Sequence, residues 1–425
     1  MFVRVPNGLK LALVCAFAFT ARSAFAQPPQ LVTTIDLGVL PGQIFAQAQA
    51  VSPNGTVAGM TYGSDYIRHI FLWKQASGMI DLGGGYPDVQ VTGVNDQGLV
   101  VGSVLASDYQ RYVFRATAGS SPTLDPMPCV DYCDRVGLNA SGQVVGSHYG
   151  VNGAQHAFVW SLTTNPIDLP FTPGAIGARA TAINDAGQIT GSFLLTTSPD
   201  PNVLTAALWT PNGSVYTAED LGRFSDQSGG TAINAAGTII GSYGDSSGNF
   251  VKGFKWTRSG GMVDLSASTA NVWILWASGI APGGLIAGGV SDANYSQYAF
   301  IYKDGVGLRR LSNPAGIAGA SAAAIDSFGL TSGAGSAASG SHAVAWQSCQ
   351  SLDVHPAGFG HSRIQAANDS SFAVGWVASD DYSVFHAFAW QFAHPGPPPP
   401  TPRRRSSPAR RRTSPRRRRP LAERR

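Results

Sequence analysis

Short stretches of alternating apolar and polar residues recur along most of the chain, each ending in Gly, Asn, Asp or Ser. Within residues 178–222, positions 180–192 read ATAINDAGQITGS, followed by TAALW at 205–209 and EDLG at 219–222. Alternation with a period of two predicts β-strands. The Asn-Asp-x-Gly element predicts a tight turn, because Asn and Asp bond their own backbone and Gly accepts positive φ. Each stretch of this kind therefore predicts four short antiparallel strands.

Two glycines mark each copy of this pattern. The turn glycine recurs at Gly55, Gly98, Gly142, Gly187, Gly237, Gly284 and Gly329, and Ser371 replaces it in the eighth copy. The second glycine follows four residues later, at Gly59, Gly102, Gly146, Gly191, Gly241, Gly288, Gly333 and Gly375. Intervals of 42 to 50 residues are typical of four-stranded propeller blades. We therefore expect an all-β protein that forms a single closed β-propeller of eight four-stranded blades over residues 31–392, with seven blades as the alternative.

The two ends of the repeat array complement each other. The eighth copy has three strands, ending near Trp390, and lacks the Asp-Leu strand that closes the other copies. A lone Asp-Leu strand stands at the front of the array, at 34–38. We expect this N-terminal strand to complete the last blade, because closure removes the unpaired sheet edges that promote aggregation.

Residues 1–26 have the features of a secretory signal peptide. Arg4 and Lys10 supply positive charge, residues 11–19 are apolar, and residues 24–26 read Ala-Phe-Ala, a cleavage motif. No later apolar stretch reaches the roughly 20 residues that a membrane helix needs. The sequence predicts an exported bacterial protein, extracellular or periplasmic, without a transmembrane helix in the mature chain.

Charge divides the remaining chain into two parts. Residues 27–394 hold 14 Lys and Arg against 24 Asp and Glu, whereas residues 395–425 hold twelve Arg and one Glu. The Pro- and Arg-rich stretch 393–425 cannot bury apolar surface and is predicted to be a disordered tail. It can adhere to polyanions, but it has no aromatic residue for base stacking, so specific nucleic-acid binding is not expected. A reading-frame change that replaced a different C-terminal sorting segment is the alternative.

The cysteines and the short motifs give little sign of a cofactor. Cys129 and Cys133 lie in one loop, and an exported protein favours a disulfide between them over a metal site. The sequence has no zinc-protease, EF-hand or P-loop motif. The G-x-S-x-G match at 244–248 lies in a Gly- and Ser-rich loop rather than in a strand-to-helix turn, so we interpret it as chance. We predict no cofactor, no metal and no catalytic residue.

A His in the third strand and an Asp in the fourth recur in several copies. Pairs such as His156 with Asp168 are expected to meet across neighbouring strands. Because these residues recur from copy to copy, we interpret them as structural hydrogen bonds; a catalytic residue would be unique in the array.

The copies resemble the HAF-type extracellular repeat, which is named for the His-Ala-Phe of its third strand. The motif stands at 156–158 and 386–388, with near copies at 69–71, 298–300 and 342–344, and the resemblance covers most of 33–392. It implies a secreted bacterial repeat protein with a propeller fold and no established biochemical function. Such proteins can end in a sorting signal with an apolar segment and a basic end, and this chain has only the basic end.

The loops between the second and third strands hold the candidate binding residues. Ser, Asp and Tyr recur there, and the candidates are Asp65, Tyr66, Asp108, Tyr109, Asp292, Tyr295, Asp380, Asp381 and Tyr382. Carboxylates beside exposed aromatic rings suit sugars or a cation. We therefore expect a monomeric, non-catalytic extracellular binding or structural module whose partner is a polysaccharide or a cell-surface protein. The alternative is a propeller hydrolase or lyase that acts on polysaccharide.

Overall fold

The computed structural model describes residues 28–129, 135–150, 153–195, 203–244, 250–267, 269 and 271–393. The predicted signal peptide, nearly all of the predicted tail and Cys133 lie outside these residues. The described residues form strands, turns and bends, and none of them is helical. Accordingly, this part of the chain contains no helix with the length and hydropathy that a membrane crossing needs.

The strands follow one another as eight repeat units, preceded by β1 (Leu31–Gly38). Unit 1 contains β2 (Phe45–Val51), β3 (Val57–Tyr62), β4 (Arg68–Lys74) and β5 (Gly78–Tyr86). Unit 2 contains β6 (Asp88–Val94), β7 (Val100–Leu105), β8 (Arg111–Ala116) and β9 (Thr123–Leu124). Unit 3 contains β10 (Gly137–Leu138), β11 (Val144–Tyr149), β12 (Gln155–Trp160) and β13 (Ile167–Asp168). Unit 4 contains β14 (Ala175–Ile183), β15 (Ile189–Leu195), β16 (Val203–Asn212) and β17 (Val215–Gly222).

The second half of the array repeats this order. Unit 5 contains β18 (Gln227–Ile233), β19 (Ile239–Gly244), β20 (Phe250–Thr257) and β21 (Gly261–Asp264). Unit 6 contains β22 (Ile274–Ile280), β23 (Ile286–Ser291), β24 (Gln297–Lys303) and β25 (Gly307–Arg310). Unit 7 contains β26 (Ile317–Ile325), β27 (Thr331–Ala337), β28 (Gly340–Gln347) and β29 (Gln350–Asp353). Unit 8 contains β30 (His361–Ala367), β31 (Phe372–Ala378) and β32 (Phe385–Phe392).

Each unit is an antiparallel sheet in which consecutive strands pair. Unit 8 has three strands of its own, and β1 pairs antiparallel with β32, with Thr34 opposite Trp390. The sequence-based prediction that the N-terminal strand lies beside the last strand of unit 8 is therefore confirmed. A single parallel bridge, between Phe45 and Phe385, also connects unit 1 to unit 8.

The hydrophobic core lies between neighbouring sheets. Phe71 and Trp73 of unit 1 share a buried cluster with Val374 of unit 8 and with Leu37 of β1. The third-strand tryptophans fasten one unit to the preceding one, because their indole N–H groups donate to carbonyls beyond its last strand. The donor–acceptor distances are 2.8 Å from Trp209 to Pro170, 2.9 Å from Trp346 to Ser312 and 2.9 Å from Trp390 to Val354. Such tryptophans combine a large buried area with a satisfied polar group.

The invariant second-strand glycine sits where the first strand bulges. In unit 4 the pairing between β14 and β15 shifts register between Ala180 and Ala182. An added Cβ at Gly191 would lie 1.9 Å from the carbonyl oxygen of Arg179. The glycines at 59, 102, 241, 288, 333 and 375 have the same kind of close backbone contact, at 1.9 to 2.2 Å. A bulge that brings the first strand close to the second accounts for this glycine in seven units. At Gly146 of unit 3 an added Cβ would instead lie 3.0 Å from the ring of Phe158.

A turn asparagine links each of units 3, 4, 5 and 8 to the next unit. Its side-chain oxygen accepts the N–H that closes its own turn, and its amide nitrogen donates to a carbonyl of the following unit. The second bond measures 3.2 Å from Asn139 to Asn184, 2.9 Å from Asn184 to Asn234 and 3.2 Å from Asn234 to Ala281. Asn368 of unit 8 makes the same bond to Ser52 of unit 1, at 2.8 Å. Unit 8 therefore contacts unit 1 through the bond that links consecutive units.

In unit 7 an aspartate takes the position of the turn asparagine, and a serine of unit 8 binds it. Asp326 stands where five other units have Asn, and its carboxylate has no amide nitrogen to donate. Its Oδ2 instead accepts a hydrogen bond from the hydroxyl of Ser371, at 2.9 Å. Ser371 is the residue that replaces the turn glycine of the eighth copy, and its φ is 55°. The irregular serine thus has a structural role as partner of a buried carboxyl.

Candidate functional site

Four loop tyrosines have a backbone conformation that such residues rarely adopt. These tyrosines lie in the loops that join the second and third strands of units 1, 2, 6 and 8. Their φ values are 59° at Tyr66, 62° at Tyr109, 62° at Tyr295 and 57° at Tyr382. Their exposed fractions are 72%, 83%, 71% and 56% in the same order. A left-handed conformation at a non-glycine residue costs about 1 kcal/mol or more. Four exposed rings are thus presented at an energetic cost.

The same kind of turn elsewhere in the chain uses glycine. In unit 2 the N–H of Tyr109 donates to Ala106 at 3.0 Å, just as the N–H of Gly98 donates to Asn95 at 2.9 Å in the preceding turn. In unit 3 the equivalent loop has Gly153, with φ 75° and a 2.9 Å bond to Gly150. Glycine accepts this conformation without strain. The turn therefore does not require tyrosine.

Four of the aspartates that were predicted beside these tyrosines stabilise the loop conformation by hydrogen bonds to the loop backbone. An Oδ1 atom accepts a nearby backbone N–H in each case: 3.1 Å from Ile67 to Asp65, 2.9 Å from Gln110 to Asp108, 2.9 Å from Asn294 to Asp292 and 3.0 Å from Ser383 to Asp381. Asp380 is exposed and lies against Gly360. These turns use one carboxylate oxygen of each bonded aspartate.

Hydrogen bonds also keep two of these aspartates ionised. The hydroxyls of Ser379 and Ser383, with the backbone N–H of Ser383, lower the pKa of Asp381 to about 2. The phenol of Tyr112 donates to Asp108 at 2.7 Å, and this bond is the largest cause of that carboxyl's lowered pKa. Both loops therefore carry a negative charge and spare acceptor positions next to an exposed ring.

Three of the four tyrosine rings rest on an aromatic neighbour. Tyr66 lies 5.8 Å from Tyr62 between ring centroids, Tyr295 lies 4.8 Å from Trp273, and Tyr382 lies 4.4 Å from His361 with the rings nearly parallel. These contacts support the exposed rings and limit the side-chain freedom that would be lost on binding. Rigid, partly supported rings are effective binding surfaces because little conformational entropy opposes binding.

The predicted His–Asp pairs across neighbouring strands are present. The Nδ1-to-carboxylate distances are 2.9 Å for His69–Asp81, 3.0 Å for His156–Asp168, 2.7 Å for His342–Asp353 and 2.8 Å for His386–Asp36. The last pair joins β32 to β1 across the N-terminal strand pairing. The prediction that these side chains meet is confirmed, and their structural role stays an interpretation based on their recurrence.

A fifth histidine, which the sequence did not single out, lies between two carboxylates. His148 on β11 has a side chain 6% exposed; its Nδ1 lies 3.0 Å from Asp125 and its Nε2 lies 2.8 Å from Asp168. Asp168 also binds His156, so four titratable groups form one chain. Asp125 directly follows β9 and stands where unit 3 has Leu169, since Leu124 takes the position of the fourth-strand Asp; Tyr112 replaces the third-strand His of unit 2. In the sequence, the one sign of this network is that Tyr112 occupies the position at which other units have the third-strand His.

The pKa of His148 links this network to stability. Burial alone lowers it, but the hydrogen bonds and charges of Asp125 and Asp168 outweigh burial and raise it. A pKa raised on folding contributes stability that is complete below the ordinary value of about 6.5 and is lost as the pH rises through the folded value. We therefore expect the free energy of unfolding to fall as the pH rises above about 6.5.

Denaturant unfolding at a series of pH values tests this expectation. The variants His148→Gln and Asp125→Asn should each have a flatter dependence than the native chain over that range. The pKa of His148, followed by NMR, should lie above its ordinary value. A value at or below the ordinary one would contradict the assigned charge on this residue.

The structure tests the predictions about the cysteines and about metal binding only in part. Cys129 is buried, is disulfide-bonded and pairs through its backbone with His148. Because Cys133 lies outside the described residues, the pairing of the two stays a prediction. No group of three or more His, Cys, Asp or Glu side chains in the described ranges is placed to hold a metal ion.

No family model matches the sequence, and no curated protein matches it. Among solved structures, the chain is similar to the β-propeller domain of the Trilobed protease from Pyrococcus furiosus, at 10% identity and a TM-score of 0.47, over 72% of this chain and 98% of that one. It is also similar to a prolyl endopeptidase, at 15% identity and a TM-score of 0.52, over 80% of this chain. The match spans 54%, about half, of the endopeptidase.

These likenesses bear on the fold alone, because every identity is low. Together with the repeated four-stranded sheets, the similarity to the prolyl endopeptidase indicates an all-β repeat protein of the β-propeller type. The enzymatic activity of a neighbouring structure belongs to that protein, since one fold hosts many functions.

Proposed function

We propose that this chain is an exported, non-catalytic module that binds polysaccharide through the exposed loop tyrosines. The proposal includes a closed ring of eight four-stranded units and membership of the HAF-type extracellular repeat family. Export is supported by the signal-like residues 1–26 and by the disulfide at Cys129, which is typical of an oxidising compartment.

Contacts between the first and last units support the closed ring. The Asn368-to-Ser52 bond repeats the bond between consecutive units, and Phe71 and Val374 share a core cluster as neighbouring units do elsewhere. Units 8, 1 and 2 are then consecutive, which brings Tyr382, Tyr66 and Tyr109 onto one arc of the ring. Aromatic side chains spaced along such an arc could contact successive residues of an extended polymer.

The strained tyrosines are the observation that carries the binding proposal. Glycine would fill the turn position at lower energy, and Gly153 shows that this chain uses it there. An aromatic face stacks on the apolar face of a sugar ring, and the neighbouring carboxylates, such as that of Asp381, accept bonds from sugar hydroxyls. Strain retained at exposed residues indicates selection for binding rather than for stability.

Replacing all four tyrosines with glycine separates binding from folding. We expect the quadruple variant to lose at least about tenfold in affinity for polysaccharide, because each lost stacking contact weakens binding. Its thermal midpoint should be unchanged or higher, because the strain is relieved. Affinity electrophoresis in gels with a panel of soluble polysaccharides, followed by calorimetry on the retained polymers, measures both quantities.

The matched control replaces Phe328, an aromatic residue 50% exposed in a turn between first and second strands, with glycine. This variant should bind as the native chain does. Native-strength binding by the quadruple variant would refute the proposed role of the tyrosines. Turnover of a retained polymer would instead favour a hydrolase or lyase.

A further inference from the structure

We propose that the contact between units 8 and 1 holds a distinct subsite for a carboxylate-bearing sugar. The inference rests on the proposed polysaccharide binding and names the class of sugar that one part of the surface selects. We call this contact the seam, defined by Phe45, Tyr62, Trp376 and Phe385.

Aromatic rings form a continuous row along the seam. Between ring centroids, Trp376 lies 4.6 Å from Phe385, Phe385 lies 3.9 Å from Phe45, and Phe45 lies 4.3 Å from Tyr62. Tyr62 in turn neighbours the exposed Tyr66. All four seam rings are half-buried. The row therefore runs from a loop tyrosine to Trp376.

Two of the seam aromatics, Trp376 and Phe385, differ from the residues at the same positions of other units. Trp376 follows the invariant glycine of its unit, where units 2 to 5 all have serine, at Ser103, Ser147, Ser192 and Ser242. Phe385 occupies the first position of its strand, where units 1 and 2 have Arg68 and Arg111. A residue that only maintained the sheet would be expected to recur in the other units. Residues that are found in one unit alone and lie close together indicate a binding site.

Trp376 also lines a cavity of about 380 Å³. The other lining residues are Gln47, Ala323, Arg363 and Gln365, which come from the first strands of units 1, 7 and 8. The Oε1 atom of Gln365 is buried and has no hydrogen-bond partner among the described residues. An unpaired buried acceptor lowers stability and suits a ligand that can donate a hydrogen bond.

The lining defines the chemistry of its ligand. A sugar ring can stack on the face of Trp376, and amide groups of Gln47 and Gln365 can bind its hydroxyls. Arg363 is exposed and supplies a positive charge, and none of the five lining residues is acidic. A guanidinium group binds a carboxylate with two parallel hydrogen bonds. The geometry therefore favours a uronate residue over a neutral sugar.

Polygalacturonate and its methyl ester test this inference, because the two polymers share a backbone and differ in charge. We expect the native chain to bind the ionised polymer more tightly than the ester. Arg363→Gln should weaken binding of polygalacturonate about tenfold and leave binding of the ester unchanged. Trp376→Ser, which installs the serine of units 2 to 5, should weaken binding of both polymers without lowering the thermal midpoint.

Two controls lie away from the seam. Arg258→Gln removes an exposed arginine that pairs with Glu219, and Phe328→Ser removes an exposed ring; both should bind as the native chain does. Equal affinity of Arg363→Gln and the native chain for polygalacturonate would overturn the inference. So would unfolding of Trp376→Ser, since the ring would then serve closure of the seam.

The inference and the broader proposal can fail separately. Equal binding of polygalacturonate and its ester by the native chain would refute the acidic-sugar subsite and leave polysaccharide binding intact. Absence of binding to every polymer of the panel would refute both. Binding of free galacturonate as tight as that of the polymer would show that the cavity alone, without the loop tyrosines, accounts for recognition.

Discussion

Replacing Gly191 with alanine should lower the free energy of unfolding by about 3 kcal/mol, a large part of the stability of an ordinary domain. The added methyl group would lie 1.9 Å from the carbonyl oxygen of Arg179 and 3.0 Å from the Cα of Ala180. Both atoms are backbone, so no side-chain rotation can relieve the overlap. The bulged first strand would have to separate from the second, with loss of hydrogen bonds between them.

Gly283→Ala is the matched control, since an added Cβ there meets nothing within 4 Å. It should change the free energy of unfolding by no more than about 0.5 kcal/mol. Denaturant unfolding measures both variants. A Gly191→Ala chain as stable as the control would mean that the close approach between first and second strands is not maintained in solution.

Removing residues 28–38 should abolish stable folding of the remaining chain. Leu37 is 6% exposed in the core cluster between units 1 and 8, and Asp36 binds His386. Loss of the buried side chain of Leu37 and the partly buried one of Ile35 would alone cost about 2–4 kcal/mol. The strand β32 would also be left with an unpaired edge, which promotes aggregation.

A synthetic peptide of residues 31–38, added to the shortened chain, should restore the native circular dichroism spectrum and monodispersity by adding a strand to the free edge. A scrambled peptide is the control. A shortened chain that stays folded and monomeric without the peptide would contradict the assigned role of β1.

The sequence predicts the units well because their determinants are local. The turn Asn-Asp-x-Gly and the alternating strands lie within a few residues of each other, so the residues that determine each unit's strands and turn lie within that copy. The displaced Asp-Leu element at Asp36 revealed the pairing between the first and last strands. Here the spacing of a repeat carried information about a contact between residues 350 positions apart, as in the bond from His386 to Asp36.

Contacts between units were less predictable. The sequence indicates that Asn184 closes a turn, but its amide bond to Asn234 depends on how two sheets pack. The network around His148 likewise requires a carboxylate, Asp125, from the neighbouring unit. The loop tyrosines were found by composition, whereas their strained backbone, the strongest argument for binding, is visible only in the structure.

A disulfide between Thr33→Cys and Gln391→Cys tests the central claim, a ring completed by its own N-terminal strand. These residues are register partners in β1 and β32, and antiparallel partners have Cα atoms about 4.5–5.5 Å apart, within disulfide range. A second double variant pairs Thr33→Cys with Gln347→Cys, the equivalent position of unit 7. We predict that peptide mapping after mild oxidation shows the bond between residues 33 and 391 in the first variant and none between 33 and 347 in the second. Absence of the 33–391 bond, or equal formation of both, would contradict the ring.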